Sequence, residues 1–175
     1  SATEFANTGF SGIIFSPSEM SRGPSGRASE RGSLHMNSTD APGKPIRLGF
    51  LLTPEYSMIA FASAIEPLRM ANRLSGKRLY QWTTYTVDGN PVMASNGLEI
   101  RPDAAITEVT GLDTLFVCSG LDVERASDRA TLSWLKKLGQ QRMNFGALCT
   151  GAHVLARAGL LDGYRCTLHW ENIAS

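Results

Sequence analysis

The sequence predicts an α/β protein built on an open, mostly parallel β-sheet with helices on both faces. Short apolar runs alternate with stretches in which apolar residues recur every three or four positions, and this alternation is typical of strand–helix units. Three of the apolar runs end directly before loops that contain Gly or Pro. In a parallel sheet such loops meet at the carboxyl edge of the strands, where ligands bind.

The first predicted strand is Ile46–Leu52, which is apolar almost throughout, as expected of a strand covered on both faces. A helix follows, in which Met58, Phe61, Ile65 and Leu68 recur at helical spacing. Pro67 lies inside this helix and is expected to kink it. Trp82–Val87 predicts a second strand. Ser95-Asn96-Gly97 then predicts the turn of a β-hairpin between Val92–Ala94 and Leu98–Arg101, since Asn-Gly is a strong hairpin signal.

The second half of the chain continues the alternation. Thr114–Gly120 predicts a buried strand and a Gly-containing loop, and Phe145–Leu148 and Arg165–Leu168 predict two further strands. Between Gly120 and Phe145 lies a helix for which Ser127 is the expected N-cap and Gly139 the expected end. The apolar residues of this helix are Leu132, Leu135 and Leu138.

Cys149 lies between a predicted strand and a predicted helix, and this corner is the most informative feature of the chain. Small residues stand two positions before and two after it, at Ala147 and Gly151, which is the spacing of a nucleophile elbow with Cys in place of Ser. The N–H groups at the start of the following helix favour a thiolate or a bound anion. The corner therefore predicts either a reactive cysteine or an anion-binding site.

Composition limits the function classes. The chain has 175 residues, of which 42% are hydrophobic and 19% charged, with a net charge of +1. This near-neutral charge gives no general attraction to nucleic acid or membrane, and no apolar run reaches the roughly 20 residues of a membrane span. Cys118 and Cys166 are expected to be small core residues on strands, and the three cysteines predict neither disulfides nor a metal site. No motif for a cofactor is present in the sequence.

Residues 1–45 differ from the rest of the chain. They are rich in Ser, Gly and Pro and have no sustained apolar periodicity, so we expect a disordered extension or tag-like segment. The folded domain is expected to comprise residues 46–175.

Several segments together resemble the ThiJ/PfpI-type domain of GlxA-type transcription regulators of the AraC family. They are Phe50–Gly76, the DGNPVMASNGLEI segment, LFVCSG, and the segment from Gly146 to Trp170. The resemblance is greatest to regulators of glycine betaine, carnitine or arginine catabolism. It implies a flavodoxin-like three-layer sandwich and homodimerisation. It also implies that the last strands of the domain and the DNA-binding domain lie outside these 175 residues. A cytoplasmic location is expected separately, from the three cysteines, which have no paired spacing.

The resemblance further implies that the domain senses a small metabolite at the sheet edge, without turnover. The expected effector is a small zwitterion, such as an amino acid or a methylated ammonium carboxylate. Its carboxylate would face the backbone amides near Cys149, and its cation would face aromatic or acidic groups. The expected ligand-binding residues are Cys149, Thr150, Gly151, Gly120, Ser119, Tyr56, Glu55, His153 and Trp170.

A cysteine-dependent hydrolase, deglycase or amidotransferase-like enzyme is the alternative. Enzymes of this superfamily often have a His directly after the elbow cysteine, where this chain has Thr150. They also use a carboxylate from the first strand-to-helix loop; Glu55 lies in that region, but the matching turn is apolar. A cysteine without a positioned base is a weak acyl-transfer nucleophile at neutral pH. We therefore expect no catalytic residue in this chain.

Overall fold

A six-stranded sheet forms the centre of the computed structural model, which describes the backbone of Gly12–Phe15, residues 43–164 and Cys166. The strand order is β1-β8-β7-β2-β3-β6, and every neighbouring pair is parallel except β1 with β8. The strands are β1 (Gly12–Phe15), β2 (Ile46–Leu52), β3 (Tyr80–Thr86), β6 (Ala104–Ala105), β7 (Thr114–Cys118) and β8 (Asn144–Leu148).

The remaining elements are a hairpin and four α-helices. Strands β4 (Val92–Met93) and β5 (Glu99–Ile100) pair antiparallel, as the Asn-Gly signal predicts. The helices are α1 (Met58–Ser75), α2 (Val123–Ala126), α3 (Arg129–Gln140) and α4 (Gly151–Arg157), and a 3₁₀ turn covers Ile106–Glu108. Within the described residues, no helix combines the length and the apolarity that crossing a membrane requires.

Helices cover both faces of the sheet, which confirms the predicted α/β architecture. Alternate residues of β2 point to opposite faces. Phe50 belongs to a core cluster formed with α1 and the hairpin, whereas Leu51 belongs to a second cluster formed with α3 and α4. In the first cluster the ring of Phe50 stacks on Phe116 and meets Phe61 of α1 edge-on. The apolar run of β2 is therefore explained by burial on both sides.

The order of the central strands corresponds to a flavodoxin-like sheet. In chain order β2, β3, β7 and β8 are the first four long parallel strands, and they lie in the spatial order second, first, third, fourth. The direction of winding changes between β2 and β7, and ligands of such sheets bind where the carboxyl ends of the strands diverge at that point. The loops after β2, β7 and β8 all end at this edge, which we call the rim.

Two predictions about helix ends and one about a cysteine are wrong. The N-cap of α3 is Asp128, whose side chain accepts a hydrogen bond from the N–H of Thr131, and α3 continues past Gly139 to Gln140. Ser127 instead ends α2. An aspartate directly before the helix competes with a serine one position earlier, because either side chain can cap. Cys166 is exposed and lies outside any strand, so it is not a core residue.

Strand β1 lies within the segment for which the sequence predicts disorder. Its four residues pair antiparallel with β8, from Gly12 opposite Leu148 to Phe15 opposite Phe145. Without β1, β8 would be an edge strand with unpaired backbone groups, and a short apolar segment can satisfy them. The disorder expected for residues 1–45 thus does not extend to these four. The rest of 1–42 lies outside the described residues, so the domain boundary remains a prediction.

The cap of α3 gives a first test. Asp128→Ala removes the side chain that accepts from the first turn of the helix, so we expect the free energy of unfolding to fall by about 1 kcal/mol. Ser127→Ala is the matched control, because the buried hydroxyl of Ser127 has no hydrogen-bond partner among the described residues. Its removal should change stability by less than about 0.5 kcal/mol. Urea denaturation followed by circular dichroism measures both. A greater loss from the serine variant would contradict this cap assignment.

Candidate functional site

Cys149 lies at a sharp bend between β8 and α4, as the sequence predicts. Its φ is 54°, a left-handed conformation that is uncommon for a residue with a side chain. Helix α4 starts two residues later at Gly151. This strand–bend–helix arrangement is the geometry of a nucleophile elbow, and the Cys149 side chain is partly exposed. We call Cys149–Gly151 the elbow.

Thr150 and Gly151 join the elbow to the neighbouring strand β7. The Thr150 hydroxyl is buried and donates a hydrogen bond of 2.8 Å to the carbonyl of Gly120, in the loop after β7. Gly151 packs so closely on the carbonyl of Val117 that an added Cβ would overlap it. Position 151 therefore requires glycine for a steric reason, and a branched hydroxyl side chain suits position 150.

The loop after β2 is fixed against the same point. Glu55 has a φ of 58°, and its backbone is bonded on both sides: its N–H donates to the carbonyl of Met93 at 3.0 Å, and its carbonyl accepts from Leu121 at 3.1 Å. A Cβ at Gly120 would overlap the Glu55 carbonyl oxygen. The loops after β2, β7 and β8 thus meet at Gly120. The structure brings together five of the predicted site residues here: Cys149, Thr150, Gly151, Gly120 and Glu55.

Ser119 completes this junction through its backbone. Its carbonyl accepts from the N–H of Ser57 at 3.3 Å, and its N–H donates to the carbonyl of Leu148 at 3.5 Å. The side-chain hydroxyl is buried and has no hydrogen-bond partner within the part of the chain that the structure describes. Buried hydroxyls without a partner are uncommon in folded proteins.

Tyr56 does not face the rim. Its side chain is fully buried, its ring meets Phe61 edge-on at a centroid distance of 6.0 Å, and its hydroxyl lies 4.0 Å from the Met58 sulfur. Burial, with a smaller contribution from Cys118, raises the pKa of Tyr56 to about 12. The backbone of Tyr56 bridges to Ala94 and Gly120 instead. A ligand could contact this ring only if the core opened, so Tyr56 is placed as a core residue.

The other predicted residues differ in their surroundings. His153 is half-buried on α4, and its backbone N–H donates to the carbonyl of Thr150 at 3.0 Å. Burial first, and then the nearby Arg157 charge, lower the pKa of His153. Cys118 is buried on β7 as predicted, and burial raises the pKa of its thiol. Trp170 lies outside the described residues.

A cavity of about 430 Å³ opens on the rim beside the elbow junction, and sequence analysis did not predict it. Four segments form it: the end of β2 and its loop, the end of β3 and the following loop, the hairpin, and the α2–α3 region. Of the predicted site residues within the described ranges, Glu55 alone lines it. Its charged residues come from all four segments: Glu55, Asp88, Glu99, and Arg125 with Asp128. No local pattern in the sequence indicates that these segments converge.

The remaining polar groups give no indication of a metal centre. Within the described residues, no three His, Cys, Asp or Glu side chains lie close enough together to hold a metal ion.

Comparison with known proteins identifies the fold family. The model of the DJ-1/PfpI family matches residues 50–174, which include the end of β2, the rim loops and the elbow. The chain belongs to the DJ-1/PfpI family. This DJ-1/PfpI domain has the flavodoxin-like architecture that the resemblance implied.

Curated relatives of this DJ-1/PfpI domain include transcriptional regulators. It is 46% identical over 143 residues to the HTH-type transcriptional regulator GbdR of Pseudomonas aeruginosa, and 39% identical over 127 residues to the HTH-type transcriptional regulator GlxA of Rhizobium meliloti. These matches cover 78% and 72% of this chain but only 39% of each relative. The resemblance to GlxA-type regulators is confirmed.

Solved structures and one enzyme complete the comparison. An AraC family transcriptional regulator from Pseudomonas putida superposes with a TM-score of 0.66 and 34% identity, covering 74% of this chain and 70% of that one. An isonitrile hydratase from Pseudomonas putida is 29% identical over 126 residues, covering 71% of this chain and 53% of the enzyme. The DJ-1/PfpI relatives thus include regulators and an enzyme.

The close approach at Gly120 predicts a specific steric cost. In Gly120→Ala the new methyl group would meet the backbone of Glu55 and Ser57, which cannot move without breaking the loop junction. We expect the free energy of unfolding to fall by about 1–3 kcal/mol. Gly43→Ala is the control, because a Cβ there meets nothing within 4 Å. Thermal or urea denaturation compares the two, and equal stabilities would show that the junction is not tightly packed.

The environment of His153 predicts a pH dependence of stability. Because its pKa is lowered in the folded chain, the unfolded chain takes up the proton more readily. The contribution of His153 to stability is therefore fully present above about pH 6.5, its unfolded pKa, and is lost as pH falls toward the folded value. His153→Gln should flatten the stability–pH profile in this window. An unchanged slope between pH 5 and 7.5 in urea titrations would contradict this assignment.

Proposed function

We propose that this domain is the effector-sensing part of a DNA-binding transcriptional regulator. The main support is its similarity to regulators such as GbdR and GlxA over most of its length. Because the chain spans 39% of the length of these relatives, DNA binding would belong to another part of the full-length protein. The same proposal includes a homodimer. It also includes a cytoplasmic location, since a regulator acts where the DNA is.

The elbow is the proposed binding site for the effector. The first N–H groups of α4 have no acceptor inside that helix, and the partial positive charge of a helix N-terminus favours an anion beside them. Cys149 is partly exposed at this point, and the buried hydroxyl of Ser119, directly after β7, lacks a protein partner among the described residues. These features support a polar ligand group, such as a carboxylate, between the ends of β7 and β8.

The proposed effector is a small zwitterion, either an amino acid or a methylated ammonium carboxylate. Its carboxylate would face the elbow amides, so that both ends of the ligand are compensated when water leaves. Glu55, and Trp170 outside the described residues, are the proposed partners of the cationic end. Tyr56 is left out of this proposal because its ring is enclosed in the core.

We propose that the domain binds its effector without turnover, and the support is the residue that follows Cys149. Thr150 occupies the position where enzymes of the superfamily often have His, and its hydroxyl is already bonded to the Gly120 carbonyl. A threonine hydroxyl cannot serve as a general base at neutral pH. A cysteine-dependent enzyme remains the second candidate, because Cys149 has the backbone conformation of a nucleophile elbow and the relatives include an isonitrile hydratase.

Calorimetric titration of the full-length protein tests the effector class. We expect binding of at least one among glycine betaine, dimethylglycine, carnitine and arginine, and weaker binding of acetate, because acetate lacks the cation. Trp170→Ala should weaken a quaternary ammonium ligand by roughly 0.5–2 kcal/mol and leave acetate unaffected. Acetate binding as tight as that of every zwitterion would contradict the proposed class.

Activity assays of the full-length protein distinguish sensing from catalysis. Cys149→Ser should fold, and esterase, glyoxalase and amidase activities should stay at background in both the parent and the variant. Turnover that disappears with the Cys149 thiol would instead favour the enzyme.

A further inference from the structure

The rim cavity has a lining with strong negative charge. It contains four carboxylates, from Glu55, Asp88, Glu99 and Asp128, and one guanidinium, from Arg125. Its volume of about 430 Å³ lies in the range of sites for small molecules, which is roughly 300–1,000 Å³. None of the three elbow residues is among the described residues that line it. The cavity therefore does not include the elbow amides proposed for the effector carboxylate, and Glu55 is the one residue that the two proposals share.

Two polar groups of the lining have no hydrogen-bond partner within residues 43–164. Thr131 is 2% exposed and lines the cavity, yet no hydrogen bond among residues 43–164 engages its hydroxyl. The half-buried carboxylate of Glu55 likewise makes no hydrogen bond or ion pair within that range. A hydroxyl as buried as that of Thr131 is nearly always paired, so its position in the lining of a cavity points to an external partner.

The other lining groups are already engaged or lie at the mouth. Asp128 caps α3, and Asp88 accepts two hydrogen bonds from Asn90, which lower the pKa of its carboxyl. Thr53 and Thr86 donate to the carbonyls of Cys118 and Asn90. Glu99 is exposed. These groups supply the field around the cavity, whereas Glu55 and Thr131 supply free acceptors inside it.

The lining also determines which kind of cation fits. It contains no aromatic residue among those described: Leu52, Thr53, Pro54, Glu55, Thr86, Val87, Asp88, Asn90, Pro91, Val92, Met93, Glu99, Arg125, Ala126, Asp128 and Thr131. A quaternary ammonium group has no N–H donors and is recognised mainly by aromatic faces. Carboxylates and hydroxyls instead match a cation with N–H donors, because each charge-assisted hydrogen bond needs such a donor.

We propose that the rim cavity binds a small organic cation with N–H donors, a primary ammonium or a guanidinium, and that Glu55 and Thr131 accept hydrogen bonds from it. The carboxylates at the mouth attract the cation. Arg125 can hold a carboxylate where the ligand has one. Agmatine lacks the carboxylate that the proposed elbow effector uses, so the two sites are tested with different ligands.

Isothermal titration calorimetry of the 175-residue chain and of the full-length protein, with agmatine as the probe, tests the proposal. Agmatine has an ammonium and a guanidinium and lacks a carboxylate. The control cation is a butane chain with a trimethylammonium group at each end, because it has the same charge and a similar length but no N–H donor. We expect agmatine to bind at one site per chain and at least roughly tenfold more tightly than this bis-quaternary control, with an affinity that falls as salt is added. Equal affinities for the two cations would overturn the proposal.

Matched variants locate the site. Glu55→Gln removes one charge with little change in shape and should weaken agmatine roughly tenfold, and Thr131→Val should also weaken it. Glu124→Gln is the control, since Glu124 is an exposed residue of the adjoining helix α2 that does not line the cavity. Thr131→Val keeps the test valid if the strained Glu55 position does not tolerate substitution. The proposal would be overturned if neither Glu55→Gln nor Thr131→Val weakened agmatine binding. It would also be overturned if only Cys149→Ser weakened it.

No heat of agmatine binding with either protein would overturn it as well. Such a result leaves the proposed sensing function intact, because that function rests on zwitterion binding at the elbow. If agmatine binds and none of the zwitterions does, the cavity proposal stands and the proposed effector class is wrong.

Discussion

The contact on which the rim depends is the meeting of three loops at Gly120. The Glu55 carbonyl occupies the space where any other residue at position 120 would place its Cβ, and the Gly120 carbonyl accepts the buried hydroxyl of Thr150. One residue without a side chain therefore fixes the loop after β2 and the elbow after β8 relative to β7. The rest of the site takes its geometry from this contact.

This junction also explains where the backbone is strained. Three non-glycine residues of the described chain have a positive φ, and two of them, Glu55 and Cys149, lie at the rim. A left-handed conformation costs such a residue about 1 kcal/mol or more, and it persists only when neighbouring contacts fix it. Glu55 is held by backbone bonds to Met93 and Leu121, and Cys149 is followed by the Thr150–Gly120 bond. In this conformation the side chains of Glu55 and Cys149 leave the backbone in directions that differ from those in a regular strand or helix.

Much of the fold was predictable because its signals are local. The apolar run of β2, the helical spacing in α1, the Asn-Gly turn and the small residues around Cys149 each depend on a few neighbouring positions, and all four predictions are confirmed. Helix ends were less predictable, since Ser127 and Asp128 are both good caps and only three-dimensional geometry selects Asp128. The pairing of β1 with β8 joins segments more than 120 positions apart, and no local pattern signals it.

The candidate site was predictable only in part, for the same reason. The position of Cys149 follows from a local motif, whereas the orientation of Tyr56 depends on whether the ring packs on Phe61 or faces solvent. An aromatic residue in a rim loop is consistent with either, and burial of the ring among apolar groups decided it. The rim cavity depends on charges from four segments, and sequence spacing alone does not show that these segments converge.

The two sides of the rim are mechanically connected through one residue. Glu55 lines the cavity, and its carbonyl lies against Gly120 and accepts from Leu121, so a shift of its backbone moves the acceptor of the Leu121 bond. The Gly120 loop is bonded in turn to Thr150 of the elbow. Because such closely packed backbones cannot deform continuously, a displacement on one side must break this chain of contacts or pass along it. The structure thus provides a short physical path between the cavity and the elbow, made of backbone contacts and one buried hydroxyl.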